Sequence, residues 1–295
     1  MSEPEALPAQ IDSVIKYYES TRSDYEKLWF TESDPAVHFG YYDDTVADHP
    51  QAIVRMNAVL AGLAGIGAGD RVLDAGCGCG ASAIWLASTL GCSVTGINVV
   101  PFQLAEARRY ASRAGVSERA RFERQDYERL SFPDRSFTVY WGLESIVHSE
   151  DREAVLGEAS RVLEPGGRIV IAEYTLRESP PLTRREKGFL DPWLASWAMP
   201  RLLAPGEYEG LLARTGFTNV RTRDISPHVA RSLRRLRKMC RVALPVAALL
   251  RVMHVPDFNK ERVGNIRGSL RQIRAFEKGF WRYTVVTAER APAGQ

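Results

Sequence analysis

Seven consecutive residues, Asp74-Ala75-Gly76-Cys77-Gly78-Cys79-Gly80, have the composition and spacing of a ligand-binding turn. They follow the apolar run RVL and precede the helical pattern ASAIWLASTL. Alternating glycines let a backbone turn sharply and approach a ligand closely, and the amide end of the following helix then faces that ligand. The spacing differs from the G-x-G-x-x-G of dinucleotide-binding turns, and the acid stands immediately before the turn. The pattern predicts a nucleotide-type cofactor site.

The two cysteines of this turn form a C-x-C pair, which is also a metal-ligand spacing. No second Cys or His pair lies nearby at the separation that zinc sites use. Small side chains are expected in a tight glycine turn for packing reasons alone. We therefore predict no metal at Cys77 and Cys79.

The acid followed by G-x-G-x-G resembles the first motif of the class I S-adenosylmethionine-dependent methyltransferases. In that family the loop packs against the methionine portion of the cofactor, and the acid organises its amino group. The resemblance assigns these roles to Asp74 and to the loop glycines Gly76, Gly78 and Gly80. It implies S-adenosylmethionine as the cofactor.

Further positions match the family in the expected order. Asn98 ends the second predicted strand, where the family usually has a ribose-binding acid, and its amide can still donate and accept hydrogen bonds. Gln103 follows in the next helical segment. Asp126 stands where the resemblance places an acceptor for the adenine amino group, with Tyr127 beside it. The turn LEPGG at 163–167 before RIVIAEY is also common in this class.

Two segments concern the acceptor of the methyl group. GINVVPFQLAEARR and GLESIVHSED are similar to the corresponding segments of tocopherol and sterol C-methyltransferases. That cluster also includes geranyl diphosphate C-methyltransferase and small-molecule N- and O-methyltransferases of natural product pathways. The resemblance implies a small acceptor and does not fix the atom that is methylated.

Methylation of an alkene carbon produces a carbocation, which needs aromatic faces nearby and a base to remove a proton. Each cation–π contact supplies about 0.5–2 kcal/mol when desolvated. The residues that we assign to catalysis lie at predicted strand ends or in the HFGYYDD turn: Glu173, His148, Glu144 and Tyr41. Those that we assign to the acceptor are aromatic or cationic: Tyr42, Trp193, Trp197, Trp281, Arg234 and Arg235.

Simpler interpretations remain open for several of these residues. Trp193 and Trp197 stand four residues apart, which is also the spacing of a helix packed in a core. Glu173 is equally consistent with a solvent-facing or helix-capping acid. His148 is either a base for O- or N-methylation or a residue that holds its loop by hydrogen bonds.

The elements that must position these residues alternate short apolar strands with helical segments of ten or more residues. This alternation predicts an α/β, Rossmann-like, doubly wound sheet of seven mostly parallel strands. Residues 1–68 are expected to form an N-terminal helical cap, and 69–226 the S-adenosylmethionine-binding core with lid helices at 176–215. A basic helical insertion, interrupted at Pro245 and Pro256, is expected over 227–280, and the last strand and tail over 281–295.

The net charge of +3 conceals an asymmetry. Residues 227–280 hold 13 Lys and Arg against 3 Asp and Glu, so the insertion carries +10 and the remainder −7. The insertion could bind a prenyl diphosphate, with Mg²⁺ bridging the phosphates. It could also be a solvated face or rest transiently on an anionic membrane. Nucleic-acid binding is disfavoured because aromatic residues are not interleaved with the basic run.

Composition sets the outer limits. An apolar content of 45% and a charged content of 25% are typical of a globular chain, and four scattered cysteines favour a reducing, cytoplasmic location. We expect neither a signal leader nor a transmembrane segment. The preferred function is C-methylation of a lipophilic isoprenoid, the first alternative is O- or N-methylation of a secondary metabolite, and the second is a methyltransferase-like cyclase or binding protein. Oligomeric state, including a homo-oligomer, stays open.

Overall fold

The computed structural model describes residues 8–24, 35–255 and 258–292. Seven strands form one sheet in the order β3-β2-β1-β4-β5-β7-β6, in which β1 to β5 are parallel and β7 runs antiparallel to both of its neighbours. The predicted doubly wound α/β fold is confirmed. The strands are β1 Arg71–Ala75, β2 Ser93–Asn98, β3 Ala120–Arg124, β4 Phe137–Leu143, β5 Leu163–Leu176, β6 Phe217–Asp224 and β7 Trp281–Arg290.

Helices cover both faces of the sheet and its carboxyl edge. α3 is only five residues long and continues as a π-helical turn over Leu86–Leu90. The helices are α1 Ala9–Asp24, α2 His49–Ala64, α3 Ala81–Trp85, α4 Pro101–Arg113, α5 Arg152–Val162, α6 Arg184–Ser196, α7 Pro205–Arg214, α8 Ser226–Val252 and α9 Lys260–Glu277.

The strands are apolar on both faces, as a parallel sheet covered by helices requires. Val72 and Val139 project into the core that includes α2, α3, α4, α8 and α9, whereas Leu73 and Tyr140 project into the core beneath α5 and α7. This alternation follows from the period of two along a strand. Because both cores are closed, the carboxyl ends of the strands are the natural place for a site.

The insertion between β6 and β7 consists of α8 and α9, which pack against each other. The predicted interruption at Pro245 is wrong, because Pro245 lies inside the 27-residue α8. An internal proline costs about 3 kcal/mol, and burial of Cys240 and Ala247 on either side of it holds the helix together. Pro256 lies outside the described residues, as do residues 25–34 of the predicted N-terminal cap.

The LEPGG segment lies at the start of β5, where β5 advances from Leu163 to Arg168 while the neighbouring β4 advances only from Phe137 to Val139. Gly166 has a φ of +77°, so the predicted turn is present as a bulge within the strand. Within the described residues, none of the helices combines the length and the apolar character that crossing a bilayer would require.

Candidate active site

A cavity lies at the carboxyl ends of β1, β2 and β4, at the point where the strand order reverses. Nine of the residues singled out from the sequence line it: Asp74, Gly76, Gly78, Asn98, Gln103, Tyr127, Glu144, His148 and Trp197. Nine others do not line it: Gly80, Tyr41, Tyr42, Asp126, Glu173, Trp193, Trp281, Arg234 and Arg235.

Asp74 presents a buried carboxyl group to the cavity from β1. Burial raises its pKa to about 7, opposed in part by a hydrogen bond from the backbone of Ala83. Its Oδ2 has no hydrogen-bond partner among the described residues. A buried carboxylate oxygen without a partner is costly, so the site is suited to a cationic group of a ligand.

The glycine turn after β1 keeps the cavity open. Gly76 has a φ of +82°, and a Cβ there would overlap the Cβ of Ser145. Gly78 has a φ of +53°, and a Cβ there would meet no atom within 4 Å. The space beside Gly78 is therefore available to a ligand. Gly80 lies behind the turn, where a Cβ would come within 2.8 Å of the Phe122 ring, so its role is packing.

Two buried amides lie side by side, Asn98 at the end of β2 and Gln103 in the first turn of α4. The Nδ2 of Asn98 donates to the Oε1 of Gln103 at 2.8 Å, and the Oδ1 of Asn98 accepts the backbone N–H of Val100 at 3.2 Å. This pairing fixes both amides at the cavity wall. The position at which the family usually has an acid therefore carries a rigid pair of neutral hydrogen-bonding groups.

The resemblance places Asp126 where it would accept a hydrogen bond from the adenine amino group, and its position in the structure differs from this expectation. The Oδ1 of Asp126 accepts the backbone N–H of Glu128 at 2.9 Å, and Asp126 is not part of the cavity wall. Gln125 and Tyr127 line the cavity instead, and the Tyr127 hydroxyl donates to the carbonyl of Ser145 at 3.3 Å. Asp126 lies beyond the end of β3 in a short turn, where it forms an isolated bridge with Arg129.

Glu173 is fully buried beneath the loop that follows β4 and does not reach the cavity. Its Oε1 accepts the backbone N–H groups of Ser145 at 2.9 Å and Val147 at 3.2 Å. Burial, and secondarily the charge of Glu144, raises its pKa to about 8. The predicted position at the acceptor rim is corrected, because the loop covers this strand end. The side chain positions the loop that carries Glu144 and His148.

Glu144 does line the cavity, but its oxygens are already engaged. Its Oε1 accepts the backbone N–H of Phe39 at 2.8 Å and the Tyr283 hydroxyl at 2.6 Å, and its Oε2 accepts the Tyr174 hydroxyl. Burial raises the pKa of Glu144, and the bonds from Tyr174 and Tyr283 counteract that rise. A positive φ of 50° directs its backbone away from the extended path of β4. Glu144 thus ties three segments together at the cavity floor.

His148 has the geometry of an oriented neutral imidazole. Its Nδ1 lies 3.2 Å from the carbonyl oxygen of Ala198, which can only accept, so Nδ1 carries the proton and Nε2 is the free acceptor. The Nε2 lies 3.3 Å from the Tyr18 hydroxyl. Burial lowers the pKa of His148 to about 4, so the ring is neutral at physiological pH.

The aromatic residues separate into a core group and a wall group. Trp193 and Trp281 are fully buried, and both pack edge-on against Tyr174, at 5.8 and 5.4 Å between ring centroids. The indole N–H of Trp281 donates to the carbonyl of Gln272. Trp197 reaches the cavity, so of these three tryptophans it contributes to the wall and the other two support it.

Besides Glu173, Trp193 and Trp281, four residues assigned to catalysis or the acceptor lie outside the cavity. The Tyr41 ring stacks on His228 at 4.1 Å, and the Tyr42 hydroxyl contacts the Nδ1 of His49 at 2.9 Å, so both tyrosines attach the 38–49 segment to neighbouring helices. Arg234 is exposed and Arg235 half-buried on α8. Among the described residues, no Lys or Arg side chain lines the cavity.

Several lining residues were not found from the sequence. Val14, Tyr17 and Tyr18 of α1 close one side, and their apolar and aromatic spacing indicated only a helix. Asn265 and Ser269 of α9 are polar residues one helical turn apart and gave no distinctive signal. His38 also lines the cavity, and its Nε2 has no partner among the described residues.

Metal-binding arrangements are not evident in the described part of the chain, where no group of three or more His, Cys, Asp and Glu side chains could hold an ion. Cys77 and Cys79 are buried and form no disulfide within the described residues, and burial raises the pKa of the Cys77 thiol. A thiol whose ionisation is opposed in this way is a poor metal ligand.

The family model described as a methyltransferase domain matches residues 72–167, which span β1 to the start of β5. The 27-O-demethylrifamycin SV methyltransferase of Amycolatopsis mediterranei is 40% identical over 169 residues, covering 57% of this chain and 61% of that enzyme. The S-adenosyl-L-methionine-dependent Diels-Alderase iccD of Talaromyces variabilis is 30% identical over 299 residues, covering 94% of each. The crystal structure of the [4+2]-cyclase SpnF superposes with a TM-score of 0.75 at 24% identity, covering 99% of this chain and 100% of that one.

The chain therefore belongs to the class I S-adenosylmethionine-dependent methyltransferase family, and S-adenosylmethionine is the cofactor of that family. Proteins named as a probable tocopherol O-methyltransferase, sterol 24-C-methyltransferases and geranyl diphosphate C-methyltransferase are also among the matches, which confirms the predicted resemblance. The alignment with the rifamycin enzyme spans about three-fifths of that protein.

The residues of the cavity fit this cofactor. The Asp74 carboxylate, with its unpartnered oxygen, would hold the ammonium group, and the open space at Gly78 would admit the methionine portion. The amides of Asn98 and Gln103 would hydrogen-bond to the ribose hydroxyls. When bound, the cofactor supplies an electrophilic methyl group on a sulfonium sulfur.

Proposed function

We propose that this chain transfers a methyl group from S-adenosylmethionine to a hydroxyl group of a small, largely apolar molecule, with His148 as the general base. The observation that carries this proposal is the orientation of His148. Its Nδ1 proton is held by the carbonyl of Ala198, its ring is neutral, and its basic nitrogen lies at the cavity wall. A base in this state can take the hydroxyl proton as the oxygen attacks the methyl carbon.

Tyr18 occupies the place that an acceptor hydroxyl would take. At 3.3 Å its hydroxyl is long for an O–H···N hydrogen bond, so replacing it costs little. The acceptor hydroxyl then donates to Nε2 of His148, and α1, which carries Tyr17 and Tyr18, excludes water from the cavity. The other wall residues are mainly apolar or aromatic, among them Phe39, Leu143 and Met199, and suit an uncharged acceptor.

Carbon methylation of an isoprenoid, which the sequence favours, has less support. Its expected base, Glu173, lies beneath the loop and is not part of the cavity wall. Neither Arg234 nor Arg235 reaches the cavity, so the described residues offer no cationic partner for a diphosphate. Because of these two observations we prefer O-methylation, the first alternative from the sequence, to C-methylation. The name of the rifamycin relative, an O-demethylrifamycin methyltransferase, agrees with that order.

The test is turnover of His148→Asn with methyl-labelled S-adenosylmethionine and a panel of phenols, aliphatic alcohols, amines and prenyl diphosphates, each with and without chelator. We expect label in hydroxyl acceptors, no effect of chelator, and a fall in kcat of about 10²- to 10⁴-fold in the variant. Affinity for S-adenosylhomocysteine should not change.

His254→Asn is the matched control, because His254 is exposed and does not line the cavity. At saturating cofactor, kcat/KM for the acceptor should decline only as pH falls toward about 4, where His148 takes up a proton. A His148→Asn variant with wild-type kcat would exclude His148 as the base. Labelling restricted to prenyl diphosphates would restore the isoprenoid hypothesis.

A second candidate is a cyclisation that needs the cofactor only as a bound ligand. It is favoured by the match to the Diels-Alderase over 94% of both chains. The two candidates differ in product mass, since methylation adds one CH₂ unit and cyclisation leaves the mass unchanged. They also differ in how turnover responds to substitution of His148. A cyclisation without proton transfer should not be impaired by this substitution. A product of unchanged mass formed equally by His148→Asn would favour the cyclase.

A further inference from the structure

The second half of α8 exposes a row of aliphatic side chains. Val242 is 72% exposed, Val246 52%, Leu249 61% and Met253 63%. Their spacing of four, three and four residues places them on one face of the helix. We call these four residues the apolar stripe. Scattered exposed aliphatic residues are normal, but a continuous row is the usual mark of an interaction surface.

The first half of the same helix is strongly cationic. α8 contains seven Lys and Arg residues and no Asp or Glu over Ser226–Val252. Arg234, Lys238 and Arg241 are exposed. Val242, the first residue of the apolar stripe, lies one helical turn after Lys238. The outward face of α8 is thus basic in its first half and aliphatic in its second.

The inward face of α8 belongs to the enzyme core. Leu233, Leu236 and Cys240 are buried, and Leu236 lines the cavity. The helix therefore separates the cavity from the surroundings, with the apolar stripe and the cations on the outer side. Whatever binds the outer face lies one helix diameter, roughly 10 Å, from the cavity.

We propose that the outward face of α8 docks on an anionic lipid surface, with the apolar stripe among the acyl chains and Arg234, Lys238 and Arg241 at the headgroups. A helix that presents aliphatic residues beside Lys and Arg matches the layered chemistry of a bilayer surface. A second copy of the chain is a poorer occupant. In a two-fold contact the same surface meets itself, and because α8 carries no Asp or Glu, its cations would find no acidic partner on the α8 of the second copy.

The experiment is flotation of the full-length protein with vesicles of phosphatidylcholine alone and with vesicles containing phosphatidylglycerol. Binding is expected only with phosphatidylglycerol, and it should weaken as salt is raised. Each removed cation should reduce affinity about fivefold, so Arg234→Gln/Lys238→Gln/Arg241→Gln should be nearly inert. Val246→Gln/Leu249→Gln should bind at least about tenfold more weakly, because two buried aliphatic side chains are lost.

Matched controls come from other exposed residues. Arg184→Gln/Arg185→Gln/Lys187→Gln removes three exposed cations from α6, and Val54→Gln/Leu63→Gln removes two exposed aliphatic residues from α2. Both controls should float as the wild type does, and all variants should keep its melting temperature. Absence of wild-type binding, or equal loss in controls and α8 variants, would overturn the proposal. The proposal would also be overturned if sedimentation equilibrium showed that the wild type is a dimer and that the Val246→Gln/Leu249→Gln variant is a monomer.

Discussion

The ionised carboxyl of Glu173 opposes folding, because it is fully buried and one of its oxygens, Oε2, has no partner among the described residues. Its pKa is about 8 in the folded protein and 4.5 in the reference state. A carboxyl whose pKa is raised by folding contributes stability that is complete below pH 4.5 and is lost as pH rises toward 8. Each pKa unit corresponds to about 1.4 kcal/mol.

Glu173→Gln should therefore unfold like the wild type near pH 5 and become increasingly more stable than it between pH 5 and 8.5. The amide oxygen of glutamine can still accept the N–H groups of Ser145 and Val147. Urea denaturation across this pH range measures the difference. The variant should also keep most of its turnover, since Glu173 positions a loop and does not touch the acceptor. Abolished turnover with an intact melting curve would instead make it the base.

Asp74 gives a second pH dependence, this time of cofactor affinity. Its pKa is about 7, and only the ionised form can pair with the ammonium of the methionine portion. Affinity for S-adenosylhomocysteine should rise with pH from 5.5 to 7.5, approaching tenfold per unit at the acidic end. Asp74→Asn should bind more weakly at pH 7.5 and lose the slope. Calorimetric titration of both proteins tests this, and an equal slope in the variant would remove Asp74 from the site.

Among individual residues, the sequence predicted those whose role depends on local backbone. Asp74, Gly76, Gly78 and Asn98 belong to a turn and a strand end whose geometry is set by neighbours in the chain, and all four line the cavity. Glu173 was assigned to the cavity wall because strand ends face sites in this fold. Its contact with Ser145 joins residues 28 positions apart and depends on the path of an intervening loop, which periodicity does not determine.

At the scale of elements, the contact between α6 and α9 depends on one glycine. A Cβ at Gly268 would overlap the hydroxyl of Ser196 and lie 3.1 Å from its Cβ. Rotating that hydroxyl away would break its hydrogen bond to the carbonyl of Trp193. Gly268→Ala should therefore lower the free energy of unfolding by about 1 kcal/mol or more, measured by urea denaturation.

Gly264, one helical turn earlier on α9, is the internal control. A Cβ there would meet nothing within 4 Å, so Gly264→Ala gains only the helix preference of alanine. It should stabilise the protein by about 0.5–1 kcal/mol. If both variants shift stability in the same direction, the α6–α9 contact does not depend on the absence of a side chain at Gly268.

Helix α8 shows why elements are harder to predict than motifs. Pro245 alone predicts an interruption, because it removes a backbone donor and crowds the preceding turn. Packing of α8 on α9 overrides that local preference. Helix α1 is a second example. Its sequence indicates a helix, but it does not indicate that Gln10 donates to the carbonyls of His148 and Ala198. These bonds attach α1 to the cavity wall across more than a hundred residues of chain.

In the molecule as a whole, the fold class followed from the sequence because alternating strands and helices allow few right-handed arrangements. The set of residues that line the cavity did not follow from the sequence, because the cavity walls combine α1, the sheet edge, and the α8–α9 insertion. Leu236 of α8, Asn265 of α9 and Val14 of α1 meet only in three dimensions. The charge division of +10 and −7 was visible in the sequence, but the structure was needed to show that the exposed cations of α8 share its outward face with the apolar stripe, while Leu233 and Leu236 face inward.

The pairing of β6 with β7 has a consequence for how such enzymes diversify. The residue that ends β6, Asp224, is the register partner of Thr284 near the start of β7, so the inserted segment leaves and re-enters the sheet on adjacent strands about 4.8 Å apart. A stretch joined at neighbouring points can be lengthened, shortened or recombined without altering the register of any strand. Residues 226–280 supply Leu236, Asn265 and Ser269 to the cavity wall, so we expect changes in this segment to reshape the cavity without moving the strand ends that carry Asp74 and Asn98.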